Sequence, residues 1–185
     1  MSSFIKRVAV IAALVLAPIP AITSSATAST ASTAATASTA TVAGIGPVAA
    51  TYRIYNHDNR LVCLDIPRGS TANHKPVQVY DCNGGLNQLW DYVSEPTAPG
   101  YGYLVNRASG KCVDVKRASV VAGAPVEQYT CYPGTRNQLW TYDIITLQWR
   151  VLHSGQCLVA RVPGSDVDLM QDNCTGPFSK RWDLF

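Results

Sequence analysis

What this 185-residue chain lacks narrows it first. Charged residues make up only 15% of it, with 15 Lys+Arg against 12 Asp+Glu. Two of those bases, Lys6 and Arg7, stand in the first 50 residues, which hold no acid, so the remainder carries 13 against 12. A near-neutral domain lacks the basic footprint of a nucleic-acid binder. No Cys-x-x-Cys pair and no cysteine–histidine cluster occurs, which removes the usual zinc sites. No nucleophilic serine motif is present, and no cofactor is expected. The three histidines, His57, His74 and His153, stand at unrelated positions near turns and read as solvated groups rather than catalytic ones. Asp166-Val167-Asp168 with Asp172 lacks the glycine and terminal Glu of a hand-type calcium loop and reads as a surface acidic loop.

Long apolar runs are missing too. A membrane-spanning helix needs about 20 apolar residues, and the run from Val8 to Leu16 is cut short by Pro18 and Pro20. With Lys6 and Arg7 before it and Ala26-Thr27-Ala28 after it, residues 1–28 read as a cleaved secretory leader. The protein is therefore expected to be secreted and extracellular, with no membrane span after leader removal. Residues 29–50 are almost only Ala, Ser, Thr, Gly and Val. Such a stretch cannot bury enough surface to fold and reads as a flexible linker.

What is present lies in residues 51–185, one domain's worth of chain, and it holds all six cysteines. The same pattern is written there three times. The first copy has Cys63-Leu64-Asp65, Tyr80-Asp81-Cys82 and Asn87-Gln88-Leu89-Trp90; the second has Cys112-Val113-Asp114, Tyr129-Thr130-Cys131 and Asn137-Gln138-Leu139-Trp140. The third keeps Cys157, Cys174 and Trp182, but has Val159 for the Asp, Asp172 for the Tyr and Ser179-Lys180 for Asn-Gln. Equivalent first cysteines are 49 and 45 residues apart, a spacing that marks a repeat architecture. The repeats run over about 51–94, 101–143 and 148–185. In an exported protein six cysteines imply a disulfide framework. Of the 15 possible pairings, the repeat selects Cys63–Cys82, Cys112–Cys131 and Cys157–Cys174.

Nothing in the domain keeps a helical period. Short Val-, Ile-, Leu- and Tyr-rich segments alternate with turns such as Asn83-Gly84-Gly85 and Pro133-Gly134. Each copy divides into about four strands, beginning with Tyr52–Tyr55, Val62–Ile66, Val77–Tyr80 and Leu89–Tyr92. Twelve strands in one open sheet would leave raw edges, which closure around a threefold axis removes. The strand period of two directs Tyr80 outward with Gln78, and Tyr129 outward with Glu127. On this reading Asp65 and Asp114 also face solvent, so replacing both by Ala leaves melting nearly unchanged. Binding through them weakens near pH ~4, the ordinary range for Asp.

Three copies of 40–50 residues, each with a paired-cysteine loop and a Gln-x-Trp ending in two of them, resemble the ricin B-type β-trefoil lectins. That group includes the bacterial carbohydrate-binding modules of the thirteenth family. The resemblance covers residues 51–185 and implies an all-β fold, a β-trefoil of three pseudo-threefold four-stranded repeats. It implies that Asp65 and Asp114 accept bonds from sugar hydroxyls and that Tyr80 and Tyr129 stack on the sugar. Asn87 and Asn137 bond a hydroxyl, Gln88 and Gln138 support the Asp, and Gln78 or Glu127 adds a contact. The chemistry is reasonable by itself. A pyranose has a C–H face suited to an aromatic ring, and vicinal hydroxyls suit an ionised carboxylate.

Residues kept in all three copies, Trp90, Trp140 and Trp182, are expected to pack the core. Those kept in two are expected to bind. An Asp that merely capped local backbone would persist at position 159. A glycosidase needs two carboxylates about 5–9.5 Å apart, whereas threefold equivalents on a domain of ~14 Å radius of gyration lie on the order of 25 Å apart. The expectation is a non-catalytic lectin with two sites for galactose-like or xylose-like pyranosides. Its partners would be glycans or polysaccharides, and a separately encoded secreted enzyme is compatible with that role. The alternative is a protein-binding trefoil such as a toxin delivery subunit or a protease inhibitor.

Overall fold

Short β-branched and aromatic segments separated by Gly, Asn and Pro turns become strands, and no α-helix forms among the described residues. The computed structural model describes residues 41–42, 46–162 and 164–185. The chain enters through β1 (Thr41–Val42) and β2 (Gly46–Tyr52). The first repeat follows as β3 (Ile54–Asn56), β4 (Val62–Asp65), the two-residue β5 (Lys75–Pro76), β6 (Gln78–Asp81) and β7 (Trp90–Ser94). The second comprises β8 (Gly102–Asn106), β9 (Cys112–Val115), β10 (Val126–Tyr129) and β11 (Trp140–Asp143). The third comprises β12 (Gln148–Val151), β13 (Cys157–Ala160), β14 (Val167–Asp172) and β15 (Trp182–Leu184).

The register repeats with the sequence. Cys63 faces Tyr80, Cys112 faces Tyr129, and Cys157 faces Asp172 across antiparallel pairs. The last strand of each repeat pairs with the first of the next: β7 with β8, β11 with β12, and β15 back to β3. That return closes the ring the sequence called for, and the fold is an all-β trefoil. Each disulfide bridges within its own repeat, with Cα atoms 5.1–5.2 Å apart. Loops of this size are worth about 3 kcal/mol each in the chain-entropy model.

Trp90, Trp140 and Trp182 are fully buried in one apolar cluster with Leu64, Val113 and Leu158. Each indole Nε1 donates to the carbonyl of that partner, at 3.0, 3.0 and 3.1 Å. The buried ring therefore leaves no unpaired donor, which is what a core Trp requires. The expected structural role of the three tryptophans is the observed one.

The domain boundary differs from the sequence reading. β2 starts at Gly46 and pairs with β7, Val48 opposite Val93 and Ala50 opposite Tyr92. The stretch assigned to a linker through residue 50 thus contributes backbone to the sheet, because ladder pairing uses N–H and C=O groups that any composition supplies. The expected leader (residues 1–28) and residues 29–40 of the linker lie outside the described residues.

Candidate functional site

The Asn-Gln pairs ride on 3-10 turns, Leu86–Gln88 and Arg136–Gln138, which carry them across the ends of β4 and β9. In the first repeat they meet Asp65. Gln78 Nε2 donates to Asp65 Oδ1 at 2.8 Å, and Asn87 Nδ2 and Gln88 Nε2 donate to Oδ2 at 2.6 and 3.2 Å. Gln88 also donates to Asp81 O and accepts from Asn83 N, and it is fully buried. One amide therefore braces both the fold and the carboxylate. Tyr80 stands 40% exposed beside them. Asp65, Gln78, Tyr80 and Asn87 line one open cavity of about 670 Å³, whose further walls include Arg68, Asp166 and Asp168.

The second repeat reproduces the arrangement. Asn137 Nδ2 and Gln138 Nε2 donate to Asp114 Oδ2 at 2.9 and 2.8 Å. Gln138 is again fully buried, donating to Thr130 O and accepting from Tyr132 N. Asp114, Glu127, Tyr129, Asn137 and Gln138 line a cavity of about 570 Å³ with His74, Lys116 and Tyr132. Glu127 accepts from or faces His74 Nδ1 at 2.8 Å and Lys116 Nζ at 3.6 Å. The Tyr129 ring lies 4.8 Å from His74 and 6.2 Å from Tyr132, so the aromatic wall is wider here than at Tyr80.

Three expectations need correction. Gln78 and Glu127 share a face with the tyrosines, as alternation requires, but they are 5% and 4% exposed. Asp65 and Asp114 do not face solvent either, at 2% and 6% exposed. Amide donors from two segments close over Asp65 and from one over Asp114, so Ala at these positions leaves buried donors unpaired, a cost of about 1–3 kcal/mol. Their protonation shifts as a result. Burial pushes the Asp65 carboxyl above its ordinary range; bonds from Gln78 and Gln88 oppose this and the Asp166 charge adds to it. Burial pushes Asp114 up to about 6, opposed by the Gln138 bond and reinforced by the charge of Glu127. For Asp114 the protonation range therefore moves up from the ordinary range near 4 toward about 6.

In the third repeat the matching place is filled. Val159 and Met170, at the positions of Asp65 and Gln78, pack with Cys157, Cys174 and Phe178. Ser179, at the Asn position, bonds Asn56 and Asp58 across the closure of the ring. Lys180, at the Gln position, donates to Gly176 O. The ledge beside each of the first two cavities also needs consecutive positive φ, at Arg68 and Gly69 and at Arg117 and Ala118.

A family model described as the ricin-type β-trefoil lectin domain-like family matches residues 39–129 and 86–158. The chain belongs to this family. A designed threefold-symmetric protein, ThreeFoil, is similar at 32% identity and a TM-score of 0.65, over 72% of this chain and 96% of that one. A stretch of an exo-β-1,3-galactanase from Clostridium thermocellum is similar at 28% identity and 0.65, over 74% of this chain but only 30% of the enzyme. The Rhizoctonia solani agglutinin shares the fold at 19% identity and 0.63, over 73% and 93%. No curated protein matches the chain in sequence.

The ricin-type domain thus brings together Asp65, Gln78, Tyr80, Asn87 and Gln88 in one place and Asp114, Glu127, Tyr129, Asn137 and Gln138 in another. Sequence reasoning missed the residues that each cavity borrows from another repeat. His74 was assigned to a solvated turn, and Asp166 and Asp168 to a surface loop; all three line cavities. A signal for two of them is in the sequence: His74 and Asp166 each stand eight residues before the second cysteine of their own copy.

Proposed function

We propose that this ricin-type domain is a secreted, non-catalytic lectin that binds two pyranosides per chain, one in each cavity. The Gln-x-Trp endings favour the carbohydrate-binding modules of the thirteenth family, and galactose-like and xylose-like rings suit the polar floor of each cavity. One observation carries the reading. Two separate cavities each hold a carboxylate fixed by an Asn-Gln turn beneath a tyrosine, while the third, of the same fold, is packed with Val159 and Met170. In each, the carboxylate offers charge-assisted bonds to hydroxyls and the tyrosine offers a face to C–H groups.

Carboxylates share both cavities, Asp65 with Asp166 and Asp168 in the first and Asp114 with Glu127 in the second, and Asp114 and Glu127 are directly opposed on adjacent strands. They are side-by-side neighbours on one wall, whereas glycoside cleavage needs carboxyl groups flanking the bond. Glu127 is moreover engaged by His74 and Lys116. Calorimetric titration of the full chain with a pyranoside should give two equivalents. Asp65→Asn and Asp114→Asn, which keep an acceptor for the amides, should each remove one, and the folded double variant should bind none. A single site of K_d near 1 mM is worth only about −4.1 kcal/mol, yet bridging both strengthens polymer binding by about 10²–10⁴. Three equivalents, or binding by the double variant, would return the protein to the protein-binding class.

A further inference from the structure

One position of the repeat serves its neighbour. Eight residues before the second cysteine stand His74, Gly123 and Asp166. All three have positive φ, at 61°, 83° and 61°. Glycine adopts that backbone freely, whereas L side chains do so at a cost. His74 N donates to Gln128 O at 3.0 Å and Gly123 N to Gln171 O at 2.8 Å, each bond passing to the following repeat. Asp166 precedes Val167, which pairs with Val79 of the first repeat. Equivalent clasps hold the adjoining residue. Asn73 Nδ2 donates to Thr130 Oγ1 at 3.1 Å, and Asp81 N donates to Ser165 Oγ at 3.0 Å.

Each repeat therefore hands one residue onward around the ring. The second cavity receives His74 and the first receives Asp166. Gly123 goes to the filled third repeat, where a Cβ would come within 2.8 Å of an Arg161 guanidinium nitrogen. The costlier side chains stand where they reach the carboxylate-bearing cavities of Asp65 and Asp114.

We propose that this crossed-over residue sets the specificity of the cavity it reaches: Asp166 makes the first site select pyranosides carrying a positively charged amino group, and His74 leaves the second without that preference. The inference rests on the two-site lectin reading. In the first cavity Asp65, Asp166 and Asp168 face one cation, Arg68. An ammonium group in place of a ring hydroxyl supplies three donors and a full charge to those carboxylates. In the second cavity Asp114 and Glu127 are offset by His74, Lys116 and Arg117. Burial raises the carboxyls of Asp65 and Asp168, and the Asp166 charge raises both further. A bound ammonium would relieve that mutual repulsion.

The test compares methyl galactoside and methyl glucoside with their 2-amino-2-deoxy counterparts, at a pH where the amine is protonated. Full-length Asp114→Asn isolates the first site and Asp65→Asn the second. At the first site the amino sugar should bind about 5–20-fold more tightly than its neutral parent, and 1 M salt should shrink that ratio. Adding Asp166→Asn should bring the ratio to about one. The second site should show a ratio near one throughout. Neutral binding at the first site without amine preference, or a preference indifferent to Asp166→Asn, overturns the proposal and leaves the lectin reading standing. Absence of binding by all four probes also overturns it, and the lectin reading is then decided separately by titration with other pyranosides.

Discussion

The first two repeats and the third share a disulfide, a buried Trp bonded to an equivalent carbonyl and the same strand register. They differ at the place where Asp65 and Asp114 have become Val159. The polar version holds a buried carboxylate that must be served by amides from one or two other segments. The apolar version needs only packing, and Val159 is fully buried with Met170 and Phe178. Threefold symmetry thus supplies three equal positions, and only two retain the buried carboxylate, the arrangement that is costly to fold. Once the carboxylate goes, nothing keeps its donors: Ser179 and Lys180 are spent on closing the ring and bonding local carbonyls.

The comparison breaks most forcefully at Val159→Asp. A carboxyl placed among Met170 and Phe178 has no Asn-Gln turn to bond it, so the chain should lose about 3 kcal/mol at pH 7, read as a lower urea midpoint. It should gain no third sugar equivalent. Unchanged stability, or a third titrated site, would mean that the two kinds of repeat differ less than their contacts imply.

A smaller effect, of opposite sign, is expected at Asp114→Asn. A carboxyl raised from 3.8 to about 6 holds its proton more tightly in the folded chain. Its stabilising protonated form is fully present below pH ~4, and that stability is lost as pH rises through about 6. Asn at this position should therefore add about 1–3 kcal/mol at pH 8 and almost nothing near pH 4, measured by urea unfolding at both. Sugar affinity in the unmodified second site should run the other way, falling about tenfold between pH 7 and pH 5. Stability indifferent to the substitution at pH 8 would show that the amide bonds fully offset burial.

Tyr80→Ala gives the smallest change. The ring is 40% exposed, so melting should shift little, while first-site affinity should fall by about 0.5–1.5 kcal/mol, or about 2–10-fold. The second site should keep its affinity. A large loss of stability would place Tyr80 with the core residues and would weaken the distinction between what all repeats keep and what two repeats keep.

Much of this was legible in the chain. Periodic cysteines chose their partners, because a repeated loop closes the same way each time. Tryptophans present in three copies lie in the core, and the Asp, Tyr, Asn and Gln present in two copies meet in two cavities. Those inferences needed only local order and the comparison of copies, which a linear sequence records. The sequence could not show that Asp65 and Asp114 are covered, since the covering amides come from 13 to 24 residues away. It also could not show that β2 begins at Gly46, because backbone pairing is nearly blind to side-chain composition.

Repeat number, disulfide pattern, core tryptophans and the absence of the Asp-Tyr-Asn-Gln set from the third copy were determined by the sequence itself. The raised carboxyls, the second cavity's His74 and the first cavity's Asp166 were decided only by tertiary structure. The physical reason is the ring: closure sets each repeat's turn against the next repeat's strand, so part of every site's charge and shape comes from a segment that the sequence places in another copy.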